Sequence, residues 1–571
     1  VPVKPGVVSA DYRGMRRTFL LLVSLIIVAV AAAPAAASAA AGPPPDTEAP
    51  LFPAANLTQT PPGFKINPAQ AIAIAKHAPA MQAIHRAHHP LRIAPYVWVE
   101  NHYEVYFFYH GKVIADQLVG RVGQLGPTYT GPLILGLYGR GHYGGIFDSP
   151  WILGSFTAMF LLPLLLLRQR SWVDRLDLAM LLSFGVSYAL FDTSHLNSAV
   201  WAFYPPLLYL LVRMLMRGAR AYRSRERFEC RLPTAVLVVG VAALVVVRII
   251  VALHASSVID VATASALGAN RILHGQSIYY YSIGHGDTYG PLAYLAYVPF
   301  EAIWSGSWTY LPAARAATIS FDLLTIAALI LLGTRLRVGR DGRRLGLLLA
   351  WLWAACPFSL LGLEKNTNDG LVALIVVLIL LALSGPVKRG VLVGVGAASK
   401  FFPAILLPLV AVGRGDGDHT TVRKVLAGFV ITVGASIAFF LPPGGLKEMW
   451  DHTIGFQLTR TDIFSAWALH PGLAPIKVAV EAFAVILSLA VAFRPRGTRS
   501  PAQVAALAAA LIIAVQLPAL HWFYLYIVWF LPLVLVAVLA ADAPAMPESV
   551  PVADAPGVEH GDPEPVLAGT A

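Results

Sequence analysis

Charge and cysteine are what this chain of 571 residues has least of: 13% of its residues are Asp, Glu, Lys or Arg, and two are cysteine. Cys230 lies in an Arg-rich stretch and Cys356 in an apolar one, which excludes a disulfide framework; no Cys/His metal spacing occurs either. Scarce charge, 57% hydrophobic residues and a mean hydropathy of +0.66 exclude an ordinary soluble globule and place the chain in the membrane class. Acid is the scarcer sign, leaving a formal charge of +11. That excess is no nucleic-acid footprint. Arg gathers in short stretches such as Arg217–Arg231, Arg335–Arg344 and Arg494–Arg499, without a recognisable nucleic-acid-binding motif, so no nucleic-acid partner is expected.

What is present is a series of roughly a dozen apolar segments, long enough in sequence to cross a hydrocarbon core of about 30 Å as helices. Backbone polar groups must be satisfied internally there, so the expected fold is an all-α polytopic membrane bundle, with a small external α+β domain near the N-terminus. Arg16 and Arg17, the apolar stretch Phe19–Ala33 and Ala37-Ser38-Ala39 have the order of a secretory signal peptide or an uncleaved signal anchor (1–41). A Pro-rich linker (42–65) and the small module (66–126) follow. In the module, Asn67–Ala78 has helical spacing and stops at Pro79, while Pro95–Glu100 and Tyr103–Val119 read as strands. Trp98 and the Tyr106-Phe107-Phe108-Tyr109 run before His110-Gly111-Lys112 give it a resemblance to PepSY-like domains.

The positive-inside rule then assigns sides. Additional transmembrane segments (150–216) cover spans at 150–167, 178–193 and 199–216. The main bundle (233–541) has spans at 233–253, 312–333, 345–362, 370–384, 425–441, 473–493, 501–517 and 523–541. Arg217–Arg231 and Arg335–Arg344 face the cytoplasm; Ala255–Tyr289, Glu364–Asp369 and Pro442–Gly472 face outward. Gly290–Trp304 reads as a helix lying in or dipping into the outer face. Both flanks of Val391–Val412 are basic, so this segment is expected to be a hairpin of two half-helices meeting at Lys400-Phe401-Phe402-Pro403. The Pro- and acid-rich tail (543–571) is expected to be cytoplasmic and disordered.

The conspicuous polar residues fall on the outer side of this scheme. Asp260, just past a span, is either a general base for a hydroxyl nucleophile or a solvated loop carboxylate. Lys400 stands in an apolar stretch, where a cation calls for a functional partner such as a phosphate, unless it snorkels to the interface. Asn368 and Asp369 either contact substrate or cap the helix that follows. Arg460 lies in the external loop, and His521 stands among aromatics at the outer end of the last span, as a site residue or as part of an aromatic belt.

In order along the chain come Asp260, Tyr289-Gly290-Pro291-Leu292-Ala293-Tyr294 with Pro299, the Asn366–Asp369 cap, and Gly394-Val395-Gly396-Ala397-Ala398-Ser399-Lys400-Phe401-Phe402-Pro403. Over 233–541 this resembles the GT-C superfamily of membrane glycosyltransferases, most closely glycosyltransferase family 87, the polyprenyl-phosphate-mannose-dependent α-mannosyltransferases. The resemblance implies inverting transfer of a sugar, mannose in this family, from a polyprenyl-phosphate donor to an external lipid or glycan acceptor at the cell membrane. It makes Asp260 the base; Lys400 and Arg460 are then read as donor-phosphate ligands, and Tyr289, Asn368, Asp369 and His521 as substrate contacts. Those cations could act without a metal, and no cofactor is expected. Two rivals explain the bundle otherwise: a transporter or flippase of a lipid-linked envelope precursor, which inverted repeats would favour, and a sensor whose bundle is an anchor.

Overall fold

The computed structural model describes residues 51–54, 56–98, 102–110, 112–130, 149–168, 172–192, 195–219, 229–230, 232–254, 259–279, 288–305, 311–412, 418–459, 464–493 and 499–540. The signal segment, Arg460, Asp287 and the acidic tail lie outside these residues.

The N-terminal module is an antiparallel sheet in the order β1 (Leu51–Pro53), β2 (Arg92–Trp98), β3 (His102–Tyr109), β4 (Lys112–Gly120), β5 (Leu125–Thr130). Helices α1 (Pro68–His77) and α2 (Pro79–Ala87) complete it. Asn67 caps α1 through a reciprocal box: Gln70 N–H donates to Asn67 Oδ1 at 2.9 Å and Asn67 N–H donates to Gln70 Oε1 at 2.8 Å. Alternation along β3 turns Tyr103, Val105 and Phe107 into a core shared with Ala71, Ala75 and Met81 of the helices. The sheet is wider than the sequence indicates. Part of the Pro-rich linker pairs with β2, with Leu51 opposite Trp98, and β5 extends the module to Thr130. Pro79 does end α1, but at the first position of a new helix, where its missing N–H costs nothing. On the other face of the sheet Asp116 is fully buried, and neither carboxylate oxygen has a hydrogen-bond partner among the described residues. Burial first, and then the charge of Glu104, pushes its carboxyl well above the usual range.

The rest is helical. In chain order come α3 (Pro150–Leu166), α4 (Trp172–Asp192), α5 (Leu196–Ala219), α6 (Thr234–His254), α7 (Asp260–Leu273), α8 (Pro291–Leu295), α9 (Val298–Glu301), α10 (Pro312–Leu336), α11 (Gly339–Ala355), α12 (Pro357–Glu364), α13 (Asp369–Leu381), α14 (Pro386–Lys400), α15 (Leu407–Val412) and α16 (His419–Phe439). Short helical turns occupy much of 445–473, before α17 (Ala474–Phe493), α18 (Pro501–Gln516) and α19 (Ile527–Leu539).

Among the described residues five helical stretches have the length and apolarity to cross a membrane: α5, α6, α10, α16 and Pro471–Phe493, which contains α17. The expected span 345–362 consists of two helices, α11 and α12, which together have that length and apolarity but are bent by 60° at their junction. Pro357 accounts for the break, since the residue before a proline is pushed out of the helical region and Cys356 sits at ψ 125°. The expected spans near 370–384, 501–517 and 523–541 are shorter helices of 13, 16 and 13 residues. At 1.5 Å per residue these reach only about 20–24 Å. Apolar sequence there serves burial inside protein rather than contact with lipid: nearly every side chain of α18 and α19 is buried. Gly290–Trp304 forms α8 and α9, of five and four residues, neither long enough to span.

Two polar locks hold the bundle. Arg248 on α6 donates from Nε to Asp322 Oδ2 at 2.9 Å and from Nη2 to Asp322 Oδ1 at 2.6 Å. Trp353 Nε1 donates to the same carboxylate, while Ser359 and the Ala354 carbonyl accept the remaining guanidinium protons. On α4, fully buried Asp177 accepts from Arg213, Arg217 and Tyr209 of α5. The preceding segments dock onto the main bundle at named points: Trp351 Nε1 donates to the Met159 carbonyl, and the Ser187 and Tyr524 hydroxyls lie 2.7 Å apart.

Candidate active site

Three chain breaks converge at one end of the bundle. The first is the connection from α12 to α13. Thr367 N–H donates to Gly362 O at 3.1 Å and Asn366 N–H donates to Leu363 O at 3.2 Å. This is a Schellman closure, with Asn366 in the left-handed position (φ 55°) that usually takes glycine. Asparagine tolerates that backbone, and Asn366 Nδ2 donates to Glu364 O at 2.9 Å. The turn is therefore rigid, and all of Glu364 through Asp369 is buried.

The second is the end of α14. The chain turns at Lys400-Phe401-Phe402-Pro403 and returns through a 3₁₀ turn (Phe402–Leu406) and α15. Arg389 near the start of α14 donates to the Val410 carbonyl near the end of α15 at 3.0 Å, so the two arms lie side by side as the expected hairpin. Gly390 and Gly394 let α16 pack against α14: a Cβ on Gly390 would stand 1.9 Å from Val425 O, and one on Gly394 would stand 2.9 Å from Thr432 Cβ.

Lys400 closes α14 and Asp369 opens α13, each at the helix end its charge favours. Lys400 Nζ donates to Asp369 Oδ1 at 2.6 Å, and Trp529 Nε1 donates to that oxygen at 2.8 Å. Around the ammonium stand the rings of Tyr289 at 5.0 Å, Trp529 at 5.4 Å and Tyr526 at 6.0 Å. Lys400 is 7% exposed and does not reach for solvent. Much of its charge is met by Asp369, a partner 31 residues away.

The third break is Tyr289-Gly290-Pro291. Gly290 N–H donates to Ser399 O at 3.0 Å, and the Tyr289 carbonyl accepts from Tyr279 Oη at 2.9 Å. Gly290 has an ordinary φ of −69°; what demands glycine is the close approach. A Cβ would sit 2.1 Å from Ala398 O. Gly290→Ala is expected to force this contact apart, at about 1–3 kcal/mol as for other overpacked sites, seen as a lower melting temperature of the purified protein.

Asp260 is the first residue of α7, and Ile259 N–H donates to Lys365 O at 3.4 Å. That contact seats the start of α7 on the α12–α13 turn. Five residues on, Ser265 Oγ accepts from Asn368 Nδ2 at 3.2 Å. Asn368 occupies the N-cap position of α13, but its side chain does not cap that helix; it reaches across to α7 instead. Asn366 Oδ1 and Asn368 Oδ1 are buried acceptors without a donor among the described residues. His521 is half-buried against Phe464, Phe523 and Tyr526, the surroundings of an aromatic-belt residue.

The fold thus gathers Tyr289, Asn368, Asp369 and Lys400, sets the backbone of Asp260 against the same turn, and links His521 to the group through Tyr526. Lys365 was not singled out by sequence reasoning. It lies in a stretch that reads as an exposed polar loop, yet it is 1% exposed. The signal was the turn itself: a left-handed Asn after an apolar helix predicts a tight closure rather than a mobile loop.

Residues 288–544 match the family model described as Glycosyltransferase family 87. The match supports assigning that part of the chain to the family and indicates a membrane glycosyltransferase. It includes Tyr289, Asn368, Asp369, Lys400 and His521, whereas Asp260 and α7 precede it. No curated protein matches the chain.

Proposed function

We propose that the protein transfers a sugar, mannose by family resemblance, from a polyprenyl-phosphate donor to a lipid or glycan acceptor on the external face of the cell membrane. The observation that carries this reading is the convergence of Lys400, Asp369 and Tyr289 with the Asp260 end of α7 on one rigid turn. In the transfer the acceptor oxygen bonds to the anomeric carbon as the bond from that carbon to the phosphate oxygen breaks. The phosphate leaves with the electron pair, and the acceptor proton passes to the Asp260 carboxylate. Lys400 keeps two N–H donors beyond the one given to Asp369, and these meet charge developing on the phosphate. Asn368 and Asp369, beside Tyr289, position the sugar, and Arg460 is a further phosphate ligand. His521 is a further substrate contact, held among Phe464, Phe523 and Tyr526.

The test is incubation of the purified full chain with radiolabelled polyprenyl-phosphate mannose and extracted envelope lipids. Label is expected to appear on an acceptor. Movement of intact donor across a vesicle membrane without transfer would install the flippase reading in its place.

A further inference from the structure

The reaction above needs positive charge that the protein has not already spent on itself. Lys400 is largely neutralised by Asp369 at 2.6 Å. The buried guanidinium of Arg248 is neutralised by Asp322. Arg213 and Arg217 are neutralised by Asp177 and Asp174 together. Lys365 is different. It is 1% exposed and makes no side-chain hydrogen bond or ion pair among the described residues.

Its position is fixed by backbone on both sides. Lys365 N–H donates to Leu361 O at 3.0 Å, and its carbonyl accepts from Ile259, the residue before Asp260. The Schellman closure after it leaves the stem no freedom to swing out with a mobile loop. A buried ammonium without a partner is expensive in any protein interior and more so in a membrane bundle. A stretch this rigid would keep such a group only if something else supplies the counter-charge. The two buried acceptors on the same turn, Asn366 Oδ1 and Asn368 Oδ1, also lack donors among the described residues. A cation and unpaired amide oxygens on one turn together suit a ligand that brings an anionic group and hydroxyl donors, which is the polar end of a sugar phosphate.

We infer that Lys365 is a phosphate-binding residue of this site, a buried cation without a partner among the described residues that neutralises the lipid-borne phosphate of the donor and of the departing carrier. Lys400, braced by Asp369, is the fixed wall against which that phosphate sits. This inference rests on the reading under Proposed function.

The test compares the parent, Lys365→Met and Lys365→Arg as full-length proteins in detergent, titrated with undecaprenyl monophosphate and, separately, with inorganic phosphate. Melting temperature is measured alongside. Losing a charge-assisted contact should raise the Kd for undecaprenyl monophosphate about 10- to 100-fold in Lys365→Met. Lys365→Arg should recover part of it. Removing an unpaired buried charge should leave the melting temperature of Lys365→Met equal or higher, an outcome no structural lysine would give. Unchanged affinity in Lys365→Met overturns the inference; so does weaker affinity accompanied by a lower melting temperature. Inorganic phosphate binding as tightly as the lipid would overturn the assignment to a lipid-borne group. A parent that binds undecaprenyl monophosphate but transfers nothing from its mannosyl form defeats the proposed reaction and leaves Lys365 its role. A parent that does not bind the lipid defeats both.

Discussion

Asp260→Asn is expected to cut sugar transfer by about 10²–10⁴-fold, the usual contribution of a general base, while membrane insertion and donor binding stay at the level of the parent. The substitution keeps size and hydrogen bonding and removes only the ability to take a proton. Asp260 begins α7, and the hydrogen bond from Ile259 to Lys365 O seats this residue on the turn that carries Asn368 and Asp369. A residue so placed can act on an acceptor hydroxyl aligned with a phosphate between Lys365 and Lys400. The measurement is turnover with saturating donor, together with Kd for undecaprenyl monophosphate. Loss of turnover with Kd unchanged identifies the base. Near-normal turnover in Asp260→Asn, with Asp287→Asn inactive, would transfer the role to the second aspartate of the same stretch.

How much of this was legible before the structure depends on how local the cause is. Helix starts were legible where proline occupies the first turn, as at Pro312 and Pro501; α14 begins at Pro386, ahead of the expected start at Val391. The hairpin after Lys400 was legible from charge alone, because both flanks of 391–412 are basic. Hydropathy measures preference for leaving water, and α18 and α19 leave it by entering protein, as helices shorter than the expected spans. It also passed over the bend at Cys356-Pro357, although the proline was plain to see. The candidate site divides in the same way. Lys400 stood out as a cation in an apolar stretch, and Asp369 as either a substrate contact or a helix cap. That they neutralise one another across 31 residues was not visible, since nothing local to either names its partner. Lys365 was hidden for the opposite reason, because a run of Glu, Lys, Asn and Thr looks solvated until a Schellman closure folds it inward.

The largest structural effect is expected from Asp322, which likewise gave no sign in the sequence. Its carboxylate accepts from Arg248 Nε and Nη2 and from Trp353 Nε1, and the Arg–Asp pair is all but closed to solvent, at 1% and 8% side-chain exposure. Both helices concerned, α6 and α10, are long and apolar enough to cross a membrane. A single substitution, Asp322→Leu, leaves the guanidinium in place with only the Ala354 carbonyl and Ser359 to meet its charge. Breaking a buried pair from one side costs about 3–5 kcal/mol, because the surviving charge stays uncompensated. Asp322→Leu is therefore expected to lower the melting temperature of the purified protein sharply, and Arg248→Met to do so as well. The double variant should recover most of the loss, since apolar side chains of similar volume can replace a buried ion pair at little cost. A double-mutant cycle read from unfolding in lipid nanodiscs measures this coupling. Losses that simply add would mean that the guanidinium is held by Ala354 and Ser359 rather than by the carboxylate. Recovery in the double variant would show that Arg248 and Asp322 are coupled across α6 and α10, each requiring the other's charge.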